Sequence, residues 1–156
     1  MRKFEKISYE QFVKDLKGHD NIKEMYDDLI LPNRGTKQAA GYDFHSLFPF
    51  KLECGEKIKI PTGLKVMMEP DEVLLIVVRS SMGIKHNIRL CNQVGIIDAD
   101  YYNNKDNEGH LYIVLQNEGK TTWEVSKGDK IGQGVFVKFL TCDDEPKITN
   151  ERTSDY

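Results

Sequence analysis

The chain has 156 residues, 39% of them apolar and 30% charged, with a net charge of −3. That length suits one domain, and the apolar content is enough for a packed core, which excludes wholesale disorder. The mild negative charge offers no electrostatic footprint for duplex nucleic acid, so no nucleic-acid partner is expected, although a few placed cations suffice to hold a phosphate ligand.

No apolar run approaches the about 18 residues of a membrane span, and residues 1–6 lack the apolar stretch of a signal peptide, so no membrane association is expected. Cys54, Cys91 and Cys142 are odd in number, widely spaced and without a CxxC pair. Reduced thiols in the cytoplasm are the expectation. Residues 2–7 have the character of a short strand. Ser8-Tyr9-Glu10-Gln11 then has the form of a capping box, with Ile7 and Phe12 placed as a hydrophobic staple. Tyr9, Phe12, Val13 and Leu16 fall at helical spacing, and Gly18 suits the end of that helix. Residues 21–29 predict a second short helix capped by Asp20. Residues 1–30 are therefore expected to form an N-terminal strand and helical extension packed on the core.

After Leu31-Pro32 the pattern changes to short apolar runs separated by turn residues, the signature of an all-β domain. Runs at 57–60 and 64–68 flank a turn at Pro61-Thr62-Gly63. The run 73–78 is apolar throughout and rich in β-branched residues, as a buried strand is. Segments 111–115 and 121–125 flank Asn117-Glu118-Gly119-Lys120, and 125 and 131 flank Ser126-Lys127-Gly128-Asp129; both read as hairpin turns. The last strong strand is 135–139. The expected architecture is an all-β barrel or sandwich over 31–140, with an extended polar tail at 141–156.

Four segments are Gly-, Asp- or hydroxyl-rich without being simple turns. They are Ala39-Ala40-Gly41-Tyr42-Asp43, Arg79-Ser80-Ser81-Met82-Gly83, Gly95-Ile96-Ile97-Asp98-Ala99-Asp100-Tyr101 and Gly128-Asp129-Lys130-Ile131-Gly132-Gln133. Each alone has an ordinary explanation as a loop, an acidic turn or a hairpin. Together and in this order they resemble the first four of the five motifs of the homotrimeric dUTPase family. Leu31-Pro32-Asn33-Arg34-Gly35-Thr36 is similar to that family's approach to its first motif, so the resemblance spans residues 31–139.

The resemblance implies a dUTPase-like β-clip fold and hydrolysis of dUTP to dUMP and pyrophosphate, an activity that limits uracil in DNA and supplies dUMP for dTMP synthesis. It also implies a Mg²⁺ cofactor and a homotrimer whose active sites are shared between subunits. Asp98 matches the water-activating aspartate; a carboxylate both positions a water and accepts its proton. Tyr101 matches the ring on which deoxyribose stacks, leaving no space for a 2′-hydroxyl. Asn92, in an expected hairpin over 88–98, matches the residue reading the uracil edge, for which a carboxamide has both donor and acceptor. Gly95 is expected to let the backbone approach the ligand. Arg79 and Ser80, with Ser81 and Gly83, match the phosphate-handling segment, Gly83 freeing N–H groups for phosphate oxygens. Gln133 matches a further phosphate contact. Asp43 matches the aspartate that approaches hydrated Mg²⁺ through water, a hard cation that keeps several waters and needs few protein ligands.

The sequence departs from the family at the fifth motif, a Gly-rich, Phe-containing tail that closes the site. Arg152 matches its opening arginine, which reaches the γ-phosphate, and Tyr156 stands near the ring that stacks on uracil, but the glycines are absent from 151–156, so weaker closure is expected. Val78 stands for the usual proline, Ser81 for a common glycine and Gly132 for alanine. Two rivals remain: a non-catalytic dUTP-binding relative, and dCTP deaminase, whose catalytic glutamate is matched here by Val114.

Overall fold

The computed structural model describes residues 1–154. It is mostly antiparallel β-structure in four sheets. The largest has the order β2 (Asn33–Arg34), β3 (Tyr42–His45), β12 (Lys130–Lys138), β7 (Glu72–Val77) and β9 (Gly95–Asp98). A three-stranded sheet has the order β5 (Lys57–Pro61), β10 (Tyr112–Asn117) and β8 (Ile88–Leu90). Two pairs complete the fold: β1 (Lys3–Lys6) with β6 (Leu64–Met67), and β11 (Trp123–Val125) with β4 (Phe50–Leu52). The expected all-β class with a helical N-terminus is what the chain adopts. Among the described residues, no helix is long and apolar enough to cross a membrane.

Strand patterns follow burial. β7 is central, between β12 and β9, and Val73, Leu74 and Ile76 are all buried, which explains its unbroken apolar run. β10 alternates instead: Ile113 and Leu115 are fully buried, whereas Tyr112 and Val114 are only partly so. That alternation gives β10 one face in the core and one on a cavity described below.

The expected hairpins are not hairpins. β10 pairs with β5 and β8, and β11 pairs with β4, so Asn117–Lys120 joins different sheets. The turn at 126–129 likewise leads from β11 to β12, which pairs with β3 and β7. β8 and β9, the strands either side of Asn92, also lie in different sheets. At the first corner the fully buried Asn117 explains the crossing. Its carboxamide donates to the Leu52 and Thr121 carbonyls at 2.8 and 2.9 Å and accepts from the Gly119 N–H at 2.8 Å, satisfying backbone groups that a hairpin ladder would have used.

The N-terminal extension is integral to the core. Ile7, Phe12 and Leu16 are fully buried in the same cluster as Phe44, Leu74 and Ile113. Helix α1 (Tyr9–Asp15) starts at Ser8, whose hydroxyl accepts from the Gln11 N–H at 3.2 Å. The reciprocal half of the capping box is missing: Ser8 N–H donates to Glu108, and the Gln11 side chain donates to Asp15. Helix α2 (Ile22–Asp27) is preceded by Asn21 in the left-handed region at φ 58°, not by the expected Asp20 cap. Helix α3 spans Ser80–His86.

One buried contact ties α1 to the sheets. His110 is fully buried; its Nε2 accepts the Gly63 N–H at 2.9 Å, so Nδ1 carries the proton that it donates to Asp15 at 2.6 Å. Burial holds this imidazole below its ordinary value of 6.5, with Asp15 pulling the other way. The folded state therefore keeps a neutral ring where the unfolded chain starts to bind a proton. The site's contribution to stability is complete above about pH 6.5 and is lost as pH falls through the lower folded value. Urea midpoints measured between pH 8 and pH 5 should thus fall more steeply in the native protein than in His110→Gln, and equal slopes would refute this.

Candidate active site

The first, second and fourth motifs meet around a cavity of about 610 Å³ lined by Gly41, Asp43, Arg79, Ser80, Ser81, Lys130 and Gln133. Register brings them together: Gln133 of β12 lies opposite Asp43 of β3 on one side and Val77 of β7 on the other, and Arg79 lies two residues beyond the end of β7. A side chain at Gly41 would push the Gln133 amide aside, because a Cβ would fall 2.0 Å from Gln133 Oε1. The Gln133 amide donates to the Val78 carbonyl at 3.4 Å. Asp43 is 7% exposed, yet both its oxygens face cations, Arg79 Nε at 3.2 Å and Lys130 Nζ at 3.3 Å. The carboxylate is buried, so stripping it of both cations would leave an uncompensated charge. A polyanion entering the cavity therefore shares Arg79 and Lys130 with Asp43 and does not displace it.

The N–H of Gly83 itself is engaged within its helix. Its N–H donates to the Arg79 carbonyl at 3.1 Å, closing the first turn of α3, so it is not available to a phosphate. Ser80 and Ser81, one turn earlier, line the cavity.

The third motif builds a second cavity, of about 880 Å³, lined by Asn92, Gly95, Tyr101, Asn107, Tyr112 and Val114 among others. Asn92 is exposed. Gly95 lies opposite Ile76 in the β9–β7 ladder, where a Cβ would come 3.2 Å from the Ile76 Cβ, so a side chain there needs Ile76 to give by a few tenths of an ångström. Tyr101, 3% exposed, follows β9 in a 3-10 turn; its hydroxyl donates to the His110 carbonyl at 3.2 Å and accepts from Asn107 Nδ2 at 2.9 Å. Val114 supplies this wall with no acid or base.

Asp98 ends β9 with its carboxylate 45% exposed. Arg152 lies back on the third motif. Its Nη2 lies 2.5 Å from Asp98 Oδ2, and its Nε lies 2.8 Å from Asp100 Oδ1. Ser154 continues the docking, its N–H and hydroxyl donating to Asp106 at 3.0 and 3.2 Å. The cause is proximity: two carboxylates two residues apart form a local sink for the one arginine of the tail. Tyr156 lies outside the described residues.

Asp98 and Arg79 stand at opposite ends of β7. Asp98 pairs with Val73, and Arg79 lies six residues further along, roughly 20 Å at strand rise. One phosphate cannot be within hydrogen-bond reach of both side chains of one chain.

Among the described residues, no group of three or more His, Cys, Asp or Glu side chains is arranged to hold a metal ion. Sequence reasoning assigned no role to Lys130, Asn107 or Tyr112. Lys130 was legible from its place three residues before Gln133, and Tyr112 from its alternation with Ile113; Asn107 carries no local signal.

A β-sheet domain that carries a cationic, hydroxyl-lined cavity and, apart from it, a strand-end carboxylate beside an aromatic and amide-lined cavity is of the class that handles phosphorylated small molecules. Comparison with known proteins narrows this. The dUTPase family model matches residues 27–155. A deoxyuridine 5'-triphosphate nucleotidohydrolase of Lactococcus lactis is 42% identical over 129 residues, covering 82% of this chain and 86% of that one. The crystal structure of a dUTPase from Streptococcus mutans superposes with a TM-score of 0.73 at 37% identity, covering 91% of this chain and 99% of the other. A dUTPase from phage phi11 of S. aureus, whose structure describes coordination of a structural Mg(II) ion, shares the fold with a TM-score of 0.68 at 21% identity, covering 100% and 99% of the two chains. The chain belongs to the dUTPase family.

Proposed function

We propose that the chain hydrolyses dUTP to dUMP and pyrophosphate at a site assembled from two copies, with Asp98 of one copy and Arg79 of its neighbour acting on the same nucleotide. The hydrolysis rests on family membership; the division of labour rests on the strand register, which holds Asp98 and Arg79 at opposite ends of β7. A head-to-tail ring, the homotrimer implied by the motifs, joins the two cavities without moving either.

In this reading Asp98 accepts a proton from a water whose oxygen bonds to the α-phosphorus. The bond from the α-phosphorus to the bridging oxygen breaks, and pyrophosphate leaves with that oxygen. Arg79, Ser80, Lys130 and Gln133 hold the triphosphate, with Ser81 at the cavity wall. Asn92 reads the uracil edge, and the Tyr101 ring packs against deoxyribose. Arg152 occupies the Asp98 carboxylate, so it exchanges Asp98 for a phosphate when nucleotide arrives. The exchange is cheap, since solvated pairs of this kind are held by about 1 kcal/mol.

Magnesium fits this donor set as an ion carried by the triphosphate. Asp43 already faces two cations, so it suits contact through water and not direct ligation, and the phosphates supply most of the oxygens. When bound, the ion would neutralise charge on the phosphates and on the departing pyrophosphate. The free thiols of Cys54, Cys91 and Cys142 suit a reducing compartment, and the cytoplasm is the proposed location.

The decisive assay is pyrophosphate release from dUTP, dCTP, dTTP and UTP with Mg²⁺. Release confined to dUTP is expected. Heat stabilisation by dUTP without release would make the chain a nucleotide-binding relative instead.

A further inference from the structure

The N-terminal helix has no part in the reading above, yet it ends on the wall of the nucleoside cavity. Asp15, the last residue of α1, receives two donors: Gln11 Nε2 lies 3.1 and 3.0 Å from its two oxygens, and His110 Nδ1 lies 2.6 Å away. The Tyr112 hydroxyl feels the same carboxylate. Two of these three neighbours bear on the cavity. Tyr112 lines it directly. His110 acts through its backbone: its carbonyl accepts the Tyr101 hydroxyl, and its N–H donates to the Asn107 carbonyl at 3.0 Å. Asn107 in turn donates to the Tyr101 hydroxyl at 2.9 Å. The His110 and Tyr112 rings lie 4.5 Å apart, so the two partners of Asp15 also support one another.

We propose that Asp15 is a positioning residue for sugar recognition, holding His110, with Tyr112 packed on its ring, so that the Tyr101 ring is fixed where a 2′-hydroxyl would collide. The inference rests on Tyr101 being the deoxyribose-packing ring. A ring fixed at both its hydroxyl and its backbone discriminates by sterics; a ring free to shift by a fraction of an ångström does not. The Gly63 N–H selects the tautomer that points the His110 proton at Asp15, as second-layer carboxylates do for other imidazoles. Burial, with the Asp15 charge nearby, keeps the Tyr112 hydroxyl protonated.

The test is the ratio of kcat/KM for dUTP to that for UTP, with the melting temperature recorded for each variant. Asp15→Ala should lower the ratio at least tenfold, mainly because UTP turnover rises or holds while that of dUTP falls. Tyr112→Phe, which keeps the ring and removes only the hydroxyl, should lower it in the same direction by a smaller factor and spare the fold. Gln11→Ala removes a donor to Asp15 that does not touch the cavity, and should leave the ratio unchanged. If Asp15→Ala and Tyr112→Phe slow both substrates equally, or change only the melting temperature, the helix is structural and the proposal is overturned. Tyr101→Ala separates the two levels. A ratio unmoved by Tyr101→Ala removes the premise about the sugar ring, whereas a ratio that collapses in Tyr101→Ala but holds in both Asp15→Ala and Tyr112→Phe overturns the proposal alone.

Discussion

Asp98→Asn should lose about 10²–10⁴-fold in kcat on dUTP, the usual worth of a positioned general base, with KM nearly unchanged. The substitution preserves shape and removes the proton acceptor. It leaves the phosphate cavity intact, because Asp43, Arg79 and Gln133 lie at the other end of β7. It also removes the charge that holds Arg152 at 2.5 Å, so the tail should become easier to displace. Steady-state pyrophosphate release together with titration by a non-hydrolysable dUTP analogue separates the two effects. Undiminished turnover would remove Asp98 from the mechanism. A large rise in KM with kcat intact would make it a binding group.

The second large effect is a restoration. Arg79→Ala should be nearly inactive on its own, by about 10²–10³-fold, since it removes a charged donor from the phosphates during charge transfer. Asp98→Asn is inactive for a different reason. If each site takes Asp98 from one copy and Arg79 from the next, unfolding and refolding the two variants together yields native sites. With random mixing about one site in four receives an unaltered residue from each side, so activity should return to about a quarter of the native value. Sites contained within one chain would regain nothing, since every chain in the mixture carries one lesion. The roughly 20 Å between the strand positions of Asp98 and Arg79 is the physical ground for expecting restoration.

Much of this was legible before any coordinates. The run at 73–78 announces a central strand because a strand covered on both sides is apolar throughout. The alternation at 112–117 announces a strand with one face in the core. Ser8 announces a helix start because its hydroxyl satisfies an N–H that the helix itself cannot. The four motif segments marked the chemistry, and the fold places three of them round one cavity and the third motif at another. For Gly83 the sequence did not show that its own N–H closes a helical turn.

The sequence alone determined which residue types stand where, which segments are strands, and which side chains are able to serve as base, cation and stacking ring. These properties are local, decided by periodicity and by functional groups a few residues apart. Tertiary structure alone decided the partners. It sent β10 and β11 to different sheets across an apparent hairpin, set Asp98 and Arg79 at opposite ends of one strand, folded Arg152 onto Asp98, and brought Asp15 to His110 across 95 residues of chain. Such pairings follow from which arrangement buries the most apolar surface while satisfying every buried polar group, and that is a property of the whole core, not of any window of sequence.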